Sequence, residues 1–176
     1  MKLIKAIATF LCLVGTALAA KPIQYRVEFT YDGMDPKWLS DLSDESRSRV
    51  TIENGLMPFF HAVVIPDKTA TIQLLGEVPN VSGENVLCGI VVKFTTVAFE
   101  DGVKIAGESQ FKRRIPKPLD SSAAFAAFES EEAAFNGKVP FDRPTVICST
   151  GEGENRTLLT AKVVALDATG KPIKKP

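Results

Sequence analysis

A side chain that changes character at every second residue commits a chain to strands, because successive Cβ atoms of a strand point to opposite faces. This sequence alternates in that way along much of its length. In QYRVEFTY, residues 24–31, Tyr25, Val27, Phe29 and Tyr31 share one face while Arg26, Glu28 and Thr30 share the other. That is the pattern of a half-buried strand. Further strands are expected in RVTIE from Arg49, FFHAVVI from Phe59, TATIQLL from Thr69 and LCGIVVKFTTVAF from Leu87. Three more follow in VKIAGESQFKRR from Val103, PTVICST from Pro144 and RTLLTAKVVAL from Arg156. Turn signals separate the runs: ENG at Glu53, PDK at Pro66, EDG at Glu100 and ATG at Ala168. Asp101-Gly102 lies between two long runs, which predicts an antiparallel hairpin of Leu87–Phe99 with Val103–Arg114. RTLLTAKVVAL reads as the closing strand of the sheet, paired near PTVICST. That pairing would bring Cys148 into the core beside the strand of Cys88, with DATGKPI as a turn and short continuation.

Two stretches read as helix. In DPKWLSDLSDES, Asp35 can cap, Pro36 suits the first helical position, and Trp38, Leu39 and Leu42 form an apolar side. In LDSSAAFAAFESEEAAFNG, Asp120 or Ser121 can cap, Ala and Glu abound, and Gly137 follows the end. Phe125, Phe128 and Phe135 then fall on one stripe, expected to pack against a sheet. The fold class expected is mainly β (α+β): an antiparallel sheet or sandwich with one or two helices packed on it.

The first residues place Lys2 and Lys5 ahead of an apolar run and then Ala17-Leu18-Ala19, the pattern of a secretory signal peptide cleaved after Ala19. The apolar run is shorter than the roughly 20 residues a membrane-spanning helix needs. Residues 1–19 are therefore expected to be the signal peptide and residues 20–176 a single β-rich domain, periplasmic or secreted, with no transmembrane helix in the mature chain. Lys and Arg number 21, as do Asp and Glu. Such a balance gives no global attraction to nucleic acid or anionic lipid. Cys88 and Cys148 both lie in strand-like stretches of a chain bound for an oxidising compartment, where a disulfide between them is the expected pairing and two buried thiols the alternative. Closing that loop of about 60 residues would contribute roughly 4 kcal/mol in the chain-entropy model.

The catalytic inventory is thin. His61, the only histidine, sits in an apolar run and reads as a half-buried strand residue rather than an activated base. Glu131 and Glu132 read as the solvated side of the second helix, and Glu152 and Glu154 as an open loop. STGEGEN from Ser149 lacks the Lys-Ser/Thr ending of a phosphate loop and precedes a strand rather than a helix. One histidine and two cysteines do not make a zinc ligand set. Asp32, Asp35, Asp41 and Asp44 lack the spacing of a calcium loop. No metal, cofactor or catalytic residue is expected, and the protein is not expected to be an enzyme.

Two blocks, in order, resemble the C-terminal β-domain of bacterial secretins, the outer-membrane pore proteins of type II and type III secretion and of type IV pilus systems. In DKTATIQLLGEVPNVSGENVLCGIVVKFTTVAFEDGVKIAGESQF the matching residues are Ala70, Ile72, Glu77, Pro79, Gly89, Val91, Phe94, Asp101, Gly102 and Ile105. In DRPTVICSTGEGENRTLLTAKVVALDATGKPI they are Thr145, Val146, Ile147, Arg156, Leu158, Leu159, Ala161, Val163, Asp167 and Gly170. The family's long insertion between its last strands is reduced here to STGEGEN, and the pore-wall strands are shortened, so the resemblance is to a strongly abbreviated domain and does not carry pore formation with it. It implies a non-enzymatic envelope protein acting in protein–protein association, with an envelope protein or a second copy as partner. The alternative is a soluble β-sandwich binding module for a peptide, glycan or small ligand held between helix and sheet, with Trp38, Phe125 and Phe128 as possible binding residues and Tyr25 and Tyr31 as further aromatic contacts.

Overall fold

The alternation is cleanest in Gln24–Asp32, and the computed structural model places that strand, β1, at the centre of a five-stranded sheet. The structure describes residues 24–33, 36–53, 57–80, 82–115, 127–151 and 156–173. Among the described residues, eight further strands follow β1: β2 (Thr51–Glu53), β3 (Met57–Val64), β4 (Thr69–Pro79), β5 (Asn85–Phe99), β6 (Gly102–Ile115), β7 (Ala127–Pro140), β8 (Thr145–Thr150) and β9 (Thr157–Leu166). The first sheet has the order β2-β3-β1-β9-β8 and the second β4-β5-β6-β7, with every ladder antiparallel. Each sheet buries one face against the other, because a half-apolar sheet is stable only when that face is covered.

The expected pairings hold. β5 and β6 form a hairpin around Glu100-Asp101 with Phe99 opposite Gly102, and β8 pairs with β9. Beyond β9, Gly170 adopts φ +79 in the turn, and the Ile173 amide donates to the Ala165 carbonyl at 2.9 Å. The two layers meet at Phe29, fully buried, whose ring stands edge-on to Phe94 of the opposite sheet at 5.0 Å and stacks on Phe60 at 5.8 Å. Around it lie Val27, Ile72, Leu74, Ile90, Val92, Val103, Ile105, Val139 and Val163. Each such side chain contributes about 1.5–3 kcal/mol by leaving water.

The first expected helix is present in two pieces, a 3₁₀ turn over Pro36–Asp41 and the short helix α1 (Asp44–Ser48), capped by the Ser43 hydroxyl, which accepts from the Ser46 amide. Trp38, Leu39 and Leu42 face the core as their spacing requires. This segment also covers the outer edge of β4. The Ser46 hydroxyl accepts from the Leu75 amide at 2.9 Å and donates to the Leu75 carbonyl at 2.8 Å, and the Ser43 amide donates to that carbonyl at 3.1 Å. Gly76 permits the approach, since a Cβ there would stand 1.9 Å from the Asp41 carbonyl oxygen. An edge strand left bare would pair with other chains, and covering it is one of the standard remedies.

Two expectations are corrected. The second helix is not formed in the described part of its span: residues 127–136 belong to β7, which pairs with β6 from Ile115–Ala127 to Gly102–Pro140. Residues 120–126 lie outside the described residues. Propensity for helix is overridden because β7 completes the second sheet, turning Phe135 and Val139 into the core. Gly137 ends no helix; it sits within β7, where a Cβ would meet Ile147 of β8 at 3.4 Å, an ordinary contact. The expected disulfide is not formed either. Cys88 is a free thiol on β5 of the second sheet and Cys148 a free thiol on β8 of the first, so β8 does not lie beside the Cys88 strand. Long-range strand pairing, which local spacing does not record, puts the two thiols in separate sheets.

Candidate functional site

Of the residues proposed for binding, Trp38 and Phe128 fall within the described residues. Trp38 is buried in the core, edge-on to Phe111 at 5.6 Å, so its ring packs the sandwich instead of meeting a ligand. Phe128 is half-buried on β7, with the Lys112 ammonium 5.9 Å from its ring. Phe125 lies outside the described residues. Tyr25 and Tyr31 are core residues too, both within the buried cluster. With β7 a strand, the groove between helix and sheet that the binding reading required does not exist along residues 127–136.

His61 is exposed on the outer face of the first sheet, stacked near Phe59 at 6.3 Å and opposite Glu28 in the ladder. The Glu28 carboxylate is held by Arg26 at 2.9 Å and Lys162 at 3.5 Å. Among the described residues, no group of three or more His, Cys, Asp or Glu side chains converges in a way that could hold a metal ion.

The inner face of the β6–β7 ladder changes character along its length, and the polar end was missed in the sequence. Val103, Ile105, Phe135 and Val139 are apolar and buried, but Ser109 and Glu131 continue the same inward positions, followed by an ion pair of Arg113 with Glu129 at 2.7 Å. Glu132, by contrast, faces out and accepts from Gln110 across the ladder. The two adjacent glutamates thus point to opposite faces, as strand geometry demands and a helix would not. Glu131 reaches across the layers to accept from the Thr150 hydroxyl of β8 at 3.2 Å.

A small cavity opens where these polar groups meet, lined by Tyr31, Ser109, Phe111, Glu131, Ala133, Cys148, Thr150, Thr157 and Leu159. Burial pushes the Tyr31 phenol up to about 12, opposed by the Ser109 hydroxyl and reinforced by Cys148 and Glu131. Cys88, at the other thiol position, is pushed up by its burial and by Asp41, against the pull of Lys112 and Arg114. A thiol held protonated is a weak nucleophile, so Cys88 behaves as a packing residue.

No protein-family model matches the sequence, and no curated protein matches it. Solved structures do match its fold. The chain is similar to ExeD of Aeromonas hydrophila at 10% identity and TM-score 0.50, over 84% of this chain and 49% of that one. It is similar to GspD, a type II secretin of enteropathogenic Escherichia coli, at 11% identity and TM-score 0.50, over 87% of this chain and 72% of that one. The chain thus spans about half the length of ExeD. The resemblance to secretin domains extends to the fold.

Proposed function

We propose that this chain is a non-enzymatic protein of the cell envelope, periplasmic or secreted, in which residues 20–176 form a single secretin-like β-domain acting in protein–protein association. In this reading residues 1–19 direct export and are removed. The observation that carries it is the extent of the likeness in fold: 84% and 87% of the chain align with ExeD and GspD, each at TM-score 0.50. Fold alone does not dictate function. Two features of this chain add to it: long ladders end in the edge strand β7, and the inner face of the β6–β7 ladder carries charge beyond the core at Arg113 and Glu129. The partner is an envelope protein or a second copy.

The test is the mass of purified residues 20–176 by light scattering over a hundredfold concentration range, alone and mixed with a detergent extract of the host envelope. Self-association, or a discrete complex with one envelope protein, is expected. A monomer at every concentration that forms no complex would end the proposal.

A further inference from the structure

Tyr31 is 5% exposed, and its hydroxyl oxygen is buried with no hydrogen-bond partner in proper geometry. A buried hydroxyl left in that state is costly, and native structures almost always satisfy it with protein or ordered water. Ser109 is near enough to act on the phenol as a hydrogen-bonding neighbour, though out of proper geometry for a bond, and Ser109, Cys148 and Glu131 line the same cavity as Tyr31 itself. Thr150 and Thr157 add two more hydroxyls to the wall. The lining therefore draws polar groups from β1, β6, β7, β8 and β9, which belong to both sheets.

The cavity is about 10 Å³ in volume. That is about the lower limit for a single water, too small for an organic ligand, and a water so held needs two to four polar partners. Glu131 already spends one carboxylate contact on Thr150 at 3.2 Å, and Ser109 aims its hydroxyl at the Ala133 carbonyl at a long 3.5 Å. Both retain acceptor capacity, since a carboxylate has about four lone-pair positions and a hydroxyl two. The Tyr31 hydroxyl can donate to the guest, and the guest's two hydrogens have Glu131 and a hydroxyl of Ser109 or Thr157 to receive them.

We propose that this cavity is a binding site for one ordered internal water, which links Tyr31 of the first sheet to Glu131 of the second and, through Glu131, to Thr150 of the first. The water completes a polar staple across the seam between β7 and β8. These two strands share no ladder and belong to different sheets, so side chains and bound water carry the connection.

The sign of one substitution separates this site from an unsatisfied hydroxyl. If Tyr31 holds a water, Tyr31→Phe removes a bond, leaves the guest short of a partner, and lowers the melting temperature. If the hydroxyl is unpaired, the same change removes a buried polar group at no loss and raises it. The experiment uses the intact domain, wild type and Tyr31→Phe, with two readouts: thermal melting, and water-to-protein cross-relaxation by NMR, which detects long-lived internal water beside the Tyr31 ring and Ser109. A long-lived water in the wild type that is lost in Tyr31→Phe, together with a lower melting temperature and faster amide exchange in β8, supports the site. Absence of the water signal in the wild type, its persistence in Tyr31→Phe, or a melting temperature that is unchanged or raised overturns it.

Discussion

Replacing Ser46 by Ala tests how the helical segment is fastened to the second sheet. One hydroxyl makes two bonds to the main chain of Leu75, accepting from its amide at 2.9 Å and donating to its carbonyl at 2.8 Å. The carbonyl keeps a second donor in the Ser43 amide at 3.1 Å, so its loss is partial. The Leu75 amide has no such reserve: its residue is half-buried and α1 lies over it. An orphaned donor costs about 1–3 kcal/mol, and Ala recovers up to roughly 0.7 kcal/mol of helix propensity over Ser. With that gain subtracted in full, the net expected is a destabilisation of about 0.3–2.3 kcal/mol, to which the partial loss at the carbonyl adds. With an m-value of about 1–3 kcal/mol/M in urea, the midpoint should fall by roughly 1 M at unchanged slope. Ser48→Ala is the control, since its exposed hydroxyl bonds only the Glu45 carbonyl of its own turn. That change should stay within about 0.5 kcal/mol. Equal midpoints for the two variants would refute the claim that α1 is pinned to the β4 edge through Ser46.

Three other outcomes follow from the same structure. Phe29→Ala empties the contact between the layers and should cost about 3–5 kcal/mol in urea unfolding; a loss below about 1 kcal/mol would mean that Phe29 is not between the sheets. Cross-strand NMR contacts should link residues 127–140 to residues 102–115 in the register that sets Ser109 opposite Ala133, and helical contacts three residues apart within 127–136 would contradict β7. The Asp167 carboxyl accepts from the Thr169 hydroxyl and from the Thr169 and Lys171 amides, which hold its pKa below 3.8. A lowered folded-state value means that the turn's contribution is complete above 3.8 and is lost as pH falls through the lower folded value. A carbon-detected titration with its midpoint at or above 3.8 would show that those bonds are absent in solution.

The strands and hairpins were legible because two-residue periodicity is a direct image of strand geometry, and β1 shows it without interruption. Residues 127–136 were not, because Ala and Glu carry a real helical preference and Phe128 and Phe135 also fit a helical stripe. What decides between the two periods is the partner strand β6, which lies 12 residues or more upstream and leaves no mark on local spacing. The same error hid the cavity, since a helix would have put Glu131 and Glu132 together in water. Read as a strand, the inward series Glu131, Ala133, Phe135, Gly137, Val139 already places one carboxylate among buried positions. The cysteine pairing failed for a related reason: both thiols do lie in strands, but which of two sheets each strand joins is set by long-range pairing alone.

Crosslinking in the living envelope tests whether the chain associates there. The full chain, tagged at its C-terminus and expressed in its host, would be treated with a short amine-reactive crosslinker, and the tagged products from the envelope fraction sized and identified by mass spectrometry. A discrete adduct with itself or with one envelope protein is expected, its crosslinks mapping to lysines of the β-domain. A chain recovered only as monomer, or recovered from the cytoplasm with its first 19 residues intact, would contradict it.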